Sequence, residues 1–155
     1  MKNLKPFTRI VLDEMTQDPD PIKPGEQASV VGYDDAGDLM VSWDCGRGLK
    51  LIPGVDKYHV VESDEELDRS FSWLYKLQGE LPDGESSKCP RCAKPFDAHR
   101  GAVSRRKHVM ICDLCGQQEA IEDFLKATKG NEPKQLDDWY IVQVWQGKFP
   151  DNGDG

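Results

Sequence analysis

Two Cys-x-x-Cys pairs, Cys89/Cys92 and Cys112/Cys115, with nineteen residues between the inner cysteines, constrain this chain more than any other feature. A Cys-x-x-Cys turn aims two thiolates at one point while its backbone amides donate hydrogen bonds to sulfur. Two such turns, joined by a connection long enough for a hairpin, supply the four corners of a tetrahedron. The spacing is that of a four-cysteine zinc ribbon, and it predicts structural Zn2+ on Cys89, Cys92, Cys112 and Cys115, with iron on the same ligands or a thiol redox pair as the alternatives. Four thiolates leave no position for an activated water, so the ion is expected to clamp rather than catalyse. His99 and His108 read as ordinary exposed loop histidines beside a complete sulfur set. The fifth cysteine, Cys45, stands alone. This usage fits metal ligation in a reducing compartment better than disulfides.

The segment that holds the pairs is also the basic part of an acidic chain. The formal net charge is -8. Residues 1–62 carry 7 basic and 11 acidic groups, and residues 63–87 carry 2 and 7; residues 88–130 reverse the balance with 9 and 5, and residues 131–155 carry 2 and 5. Bulk affinity for nucleic acid is therefore not expected of the whole chain. Four thiolates and a divalent ion sum to -2, so the excess of +4 in residues 88–130 falls to about +2 when the metal is bound. Part of the basic run is expected simply to neutralise the site. Arg105, Arg106 and Lys107 are consecutive, however, and cannot all face the sulfurs from one hairpin arm. Arg100, Arg105, Arg106, Lys107 and His108 are accordingly the candidate contacts to a phosphate backbone or an acidic partner, against the alternative of a solvated face.

With 37% apolar and 31% charged residues, the composition is that of a water-soluble globular protein. The N-terminus MKNLKPFTRIVLDEM lacks the apolar core of a signal peptide, and no stretch approaches the roughly 20 apolar residues of a membrane span, so a cytoplasmic location without membrane contact is expected. Residues 1–62 alternate short apolar runs (RIVLDEM, ASVVGY, LMVSW, LKLIPG, KYHVV) with turn-forming clusters, which predicts five strands and a small barrel. Residues 63–79 read as a connecting helix: Ser63 and Glu66 make a capping box, Leu67, Phe71, Leu74 and Leu77 share a face, and Gly79 ends it. Residues 80–88 read as a linker. Residues 89–149 form the ribbon with a trailing helix, whose apolar face is Ala120, Ile121, Phe124 and Leu125 with Gly130 after its end, and then a terminal strand in DDWYIVQVWQGKF. Residues 150–155 are expected to be disordered. The predicted fold class is α+β, a small β-barrel plus a four-cysteine zinc ribbon with flanking helices.

The string IKPGEQASVVGYDDAGDLMVSWDCGRGLKLIPGVDKYHVV resembles the uncharacterised bacterial family known as domain of unknown function 4314, found in phages and integrative mobile elements. Its Pro-Gly, Val-x-Gly, Asp-x-x-Gly, Val-x-Trp-Asp, Gly-Arg and Pro-Gly-Val-Asp pattern is present over about the first sixty residues. The resemblance implies an SH3-like barrel and supplies no catalytic residues. Two positions depart from the pattern: Ala28 stands where glycine is usual, and Cys45 where asparagine is usual. The Cys-pair segment is similar to zinc-ribbon tails of mobile-element proteins that carry an NALSR-like string before the second pair; here the string is GAVSR, with Gly101 in place of the asparagine.

No catalytic constellation can be assembled. Cys45 with His59 as nucleophile and base lacks a helix start and a third orienting group, and Cys45 reads as a partly buried turn residue. Asp64, Glu65, Glu66 and Asp68 read as helix-start charges. Tyr33, Trp43 and Tyr58 are candidates for stacking on bases, with core positions as the plainer reading. The expectation is a non-catalytic accessory protein of a phage or mobile element, without a small-molecule substrate, that binds nucleic acid or a nucleoprotein through the basic hairpin. The alternative is an acidic protein–protein interaction module, or an inhibitor of a host protein of the anti-defence type, engaging a host or element-encoded protein.

Overall fold

The computed structural model describes residues 4–15 and 19–148; the expected disordered tail at residues 150–155 lies outside the described residues. The described residues form two compact units, one of those up to residue 66 together with 144–148, the other of residues 67–143.

The first unit is built on strands β1 (Arg9–Glu14), β2 (Gln27–Tyr33), β3 (Leu39–Trp43) and β4 (Lys57–Val60). They form one antiparallel sheet in the order β3-β2-β1-β4. Period-two alternation puts Ile10, Leu12, Ala28, Val30, Leu39, Val41 and Trp43 into a core with Met15, Ile22 and Leu51. Pairing of Arg9 with Ser29 and of Val11 with Gln27 builds the other face. There Arg9 is fully buried. Its guanidinium donates to Asp44 Oδ1 at 2.7 Å, Ser29 Oγ at 2.9 Å and Gln27 Oε1 at 3.2 Å, so the buried charge is paired.

The five-strand barrel expected from the sequence is corrected: the sheet is four-stranded and not a closed barrel. The segment LKLIPG contributes only one isolated bridge, Leu39 with Leu51. Beyond it the ladder cannot continue, because Pro53 has no N–H to donate and Gly54 turns the chain at φ 85°.

Helix α1 (Asp64–Glu80) begins in the first unit and continues through the second. The capping box is formed as expected: Glu66 N donates to Ser63 Oγ at 3.1 Å, and Ser63 N donates to Glu66 Oε1 at 3.2 Å. Its buried face differs from the expected one. Leu67 and Phe71 are buried, whereas Leu77 is 39% exposed, and Gln78 is buried in its place. The Gln78 amide explains this: it donates to Met110 O and accepts from Met110 N, each at 2.9 Å, and so pairs with a strand edge as another strand would. The helix also runs past Gly79 by one residue.

The remainder of the second unit holds two short hairpins, β5 (Ser86–Lys88) with β6 (Pro95–Asp97) and β7 (Ala102–Val103) with β8 (Met110–Ile111), followed by α2 (Asp113–Lys129). The expected linker at residues 80–88 therefore ends in a strand. Gly130 closes α2 in the left-handed region at φ 71°, with Gly130 N donating to Lys126 O and Asn131 N to Leu125 O. The expected terminal strand is corrected to a 3-10 turn (Leu136–Asp138) and helix α3 (Tyr140–Trp145). Trp139, Val142 and Trp145 are all buried, and their spacing of three suits a helical face, not a strand. Phe71 meets Trp139 edge to face at 5.5 Å. Among the described residues, no helix is long and apolar enough to cross a membrane.

Candidate metal centre

Cys89 and Cys92 sit in the turn between β5 and β6, where Ala93 N donates to Cys89 O at 2.8 Å and Cys89 N donates to Lys94 O at 2.8 Å. Ala93 adopts φ 71°, so this turn is held in the left-handed region by a residue other than glycine. The second pair lies elsewhere than the sequence reading places it. Cys112 is the N-cap of α2 and Cys115 lies in its first turn, so the trailing helix begins inside the pair and not after it. One pair comes from a strand-linking turn and the other from a helix start, where the positive end of the dipole favours thiolate.

The four sulfurs lie within 4.8 Å of one another. Cys89 Sγ is 3.8 Å from Cys115 Sγ, and Cys92 Sγ is 3.7 Å from Cys112 Sγ. A tetrahedron with metal–sulfur bonds of about 2.3 Å has edges of about 3.8 Å, so the separations fit one shared ion. They are far too long for disulfides. Cys89 is fully buried and Cys112 and Cys115 nearly so. Burial pushes the Cys89 and Cys115 thiols up, Cys115 further still because Cys89 is beside it. For Cys112, burial is outweighed by hydrogen bonds from the Cys115 backbone and the neighbouring thiols, and its pKa falls. Sulfurs so enclosed resist ionising together unless a cation shares their charge, which is the chemistry of a metal site. The four cysteines can hold a metal ion.

Beneath the sulfurs lies a charged network absent from the sequence reading. Arg91 is buried with 1% of its side chain exposed. Its guanidinium donates to Cys115 O at 3.1 Å and to Glu122 Oε2 at 2.7 Å, and lies 3.6 Å from Glu119 Oε2. It also stands over the Trp139 ring at 5.5 Å. Glu119, fully buried, accepts from Ser104 Oγ at 2.7 Å and Arg105 N at 2.6 Å. The signal was available in principle: Cys115, Glu119 and Glu122 are four and then three residues apart, so a helix that turns its cysteine to the metal must bury both carboxylates as well.

The basic candidates are brought together, but mostly against carboxylates. Arg106 donates to Asp123 Oδ1 at 2.8 Å and Glu122 Oε1 at 3.2 Å; Arg105 reaches Asp123 Oδ2 at 3.2 Å. Lys107 pairs with Asp68 of α1. His108 packs on Tyr75 with ring centroids 4.3 Å apart. Arg100, whose side chain is 82% exposed, lies 3.3 Å from Asp97. For Arg106, burial is overcome by Asp123 and Glu122, which raise its pKa, and Asp123 is lowered chiefly by Arg106. Glu122 is likewise held below the usual carboxylate range: burial pushes it up, but Arg91 and Arg106 prevail.

Cys45 is exposed in a turn, not partly buried. His59 is occupied at both ring nitrogens, by Asp13 Oδ1 at 2.9 Å and by Glu66 Oε2 at 2.8 Å. That leaves no ring nitrogen to activate a thiol. Trp43 is buried with its indole N–H on Leu49 O at 2.8 Å, while Tyr33 and Tyr58 pack against the sheet core. Ile121 and Phe124, expected to be buried, are instead 52% and 64% exposed, because the opposite side of α2 carries Cys115 and its carboxylates.

Residues 2–61 match the model of a family described as domain of unknown function (DUF4314). Comparison with curated proteins and with solved structures returns no match.

Proposed function

We propose that this protein is a non-catalytic interaction module of a phage or mobile element, clamped by one structural zinc ion, whose partner is a protein. Residues 2–61 serve as an SH3-like module on this reading, and the second unit is a zinc-ribbon variant whose second Cys pair opens a helix. Zinc suits four enclosed sulfurs at tetrahedral spacing, and a filled sulfur shell leaves the ion no open position for chemistry.

One observation carries the choice of partner. Arg105, Arg106 and Lys107 are each engaged by a carboxylate, so the run has little net charge to offer phosphate. Binding of nucleic acid depends on unneutralised Lys and Arg.

Anisotropy of labelled DNA and RNA with the zinc-loaded full chain tests this directly. The expected result is no saturable binding beyond the non-specific range of roughly 10⁻⁴ to 10⁻⁶ M. Tighter binding that falls steeply with salt and is lost in an Arg105→Ala, Arg106→Ala variant overturns the reading in favour of nucleic acid.

A further inference from the structure

Helix α2 is amphipathic in an inverted sense. Its inward side presents Cys115, Glu119 and Glu122. At 100° per residue, Leu114, Ile121, Leu125 and Phe124 form a stripe centred roughly 120–130° round the helix from that side. Leu114 is 61%, Ile121 52% and Phe124 64% exposed. Three large apolar side chains held in water on one helix face are a cost that a folded protein usually retains for a partner.

The stripe is not uniform along its flanks. At the Leu114 end of the stripe an open pocket of about 340 Å³ reaches the cysteine site: Leu114, Gln118, Lys94 and Lys134 line it together with Cys92, Cys115 and the paired Arg91 and Glu122. Lys94, Lys134 and, further along the same flank, Lys129 are exposed and have no carboxylate partner among the described residues. Lys134 makes only a 3.4 Å contact to Arg91 O. The opposite flank carries Gln117 and, at the helix start, Asp113. An apolar ridge with one basic flank is matched by an apolar ridge with one acidic flank.

We infer that the α2 stripe and its lysine flank receive an amphipathic, acidic segment of another protein, apolar side chains on Leu114, Ile121 and Phe124 and carboxylates on Lys94 and Lys134. This rests on the protein-binding reading above and names the partner's chemistry. A second copy of the chain fits less well. Antiparallel two-fold pairing along the stripe brings each lysine flank against its own equivalent, and parallel pairing aligns the helix dipoles.

The experiment is selection of a displayed random-peptide library on the zinc-loaded full chain, followed by anisotropy with a synthesised, labelled copy of an enriched peptide. Enrichment of apolar residues three and four apart, flanked by Asp or Glu, is expected. Affinity falls about tenfold or more in Phe124→Ser and in Ile121→Gln, and falls in Lys94→Glu, Lys134→Glu with a loss of salt dependence. Zinc stoichiometry and circular dichroism confirm that each variant is folded. Absence of enrichment, enrichment of basic peptides, or a chain dimer dissolved by Ile121→Gln overturns the inference. Peptides whose binding ignores both sets of variants also overturn it while leaving the protein-binding reading intact; nucleic-acid binding through Arg105 and Arg106 would sink that reading itself.

Discussion

Substituting Arg91 by methionine isolates the network under the sulfurs. The side chain keeps its bulk and stem but loses the contacts to Glu122 at 2.7 Å and Cys115 O at 3.1 Å, and its cation over Trp139. Removing one partner of a buried ion pair costs about 3–5 kcal/mol, since the other charge stays buried. Glu122 retains Arg106 at 3.2 Å, and Glu119 retains Ser104 and the Arg105 amide, so the lower end, about 3 kcal/mol, applies. With a urea slope of about 2 kcal/mol per molar, the midpoint falls by roughly 1.5 M. Cobalt loaded onto the four cysteines provides the assay, because its thiolate absorption reports the second unit alone. In the variant Glu122 loses the first of the two guanidinium interactions that hold its pKa down, so the deficit relative to wild type narrows as pH falls toward the ordinary carboxylate range. Adding Glu122→Gln to Arg91→Met should restore part of the loss. A midpoint unchanged within error, or a deficit that widens on acidification, refutes the assignment of Arg91 as counterion to these carboxylates.

Chelation of the metal should expose amides of residues 86–129 to hydrogen exchange by mass spectrometry while β1 to β4 keep their protection, since the hairpins are too short to persist without the ion. Gly101→Ala should destabilise the second unit by about 1–3 kcal/mol in the cobalt assay; its Cβ would lie 2.3 Å from Ile111 O and 2.7 Å from the Phe96 ring. His59, raised by Asp13 despite partial burial and further by Glu66, contributes stability that is full below its unfolded pKa of about 6.5 and lost as pH rises through the higher folded value. His59→Gln should therefore flatten the decline in urea midpoint of the first unit, followed by hydrogen exchange of β1 to β4, above that pH.

Local signals were legible wherever one residue type imposes one geometry. The first Cys-x-x-Cys turn, the Ser63–Glu66 capping box and the left-handed Gly130 each follow from chain chemistry confined to a few residues. The strand positions of the first unit were legible from alternation, but closure was not, because it turns on whether Leu51 finds more than one bridge before Pro53 removes a donor. The terminal segment misled for a related reason: Val142 and Trp145 have strand preferences, and only the spacing of Trp139, Val142 and Trp145 shows the helix that buries them.

The larger misreading, the face of α2, shows which force decides orientation when two compete. Periodicity alone places Ile121 and Phe124 inside. Burying them would gain about 1.5–3 kcal/mol each. The same rotation would carry Cys115 out of the sulfur cluster, forfeiting, on the zinc reading proposed above, a share of a metal-binding free energy of about 10–16 kcal/mol, and would break the Arg91 pair as well. The cysteine cluster therefore sets the rotation, Glu119 and Glu122 are buried in consequence, and Arg91 and Arg106 are needed to neutralise them. Arg106, from the basic run that the sequence offered as a surface for phosphate, is thus drawn to Glu122, a carboxylate the cysteine spacing had already committed, and the apolar residues displaced by that choice stay exposed.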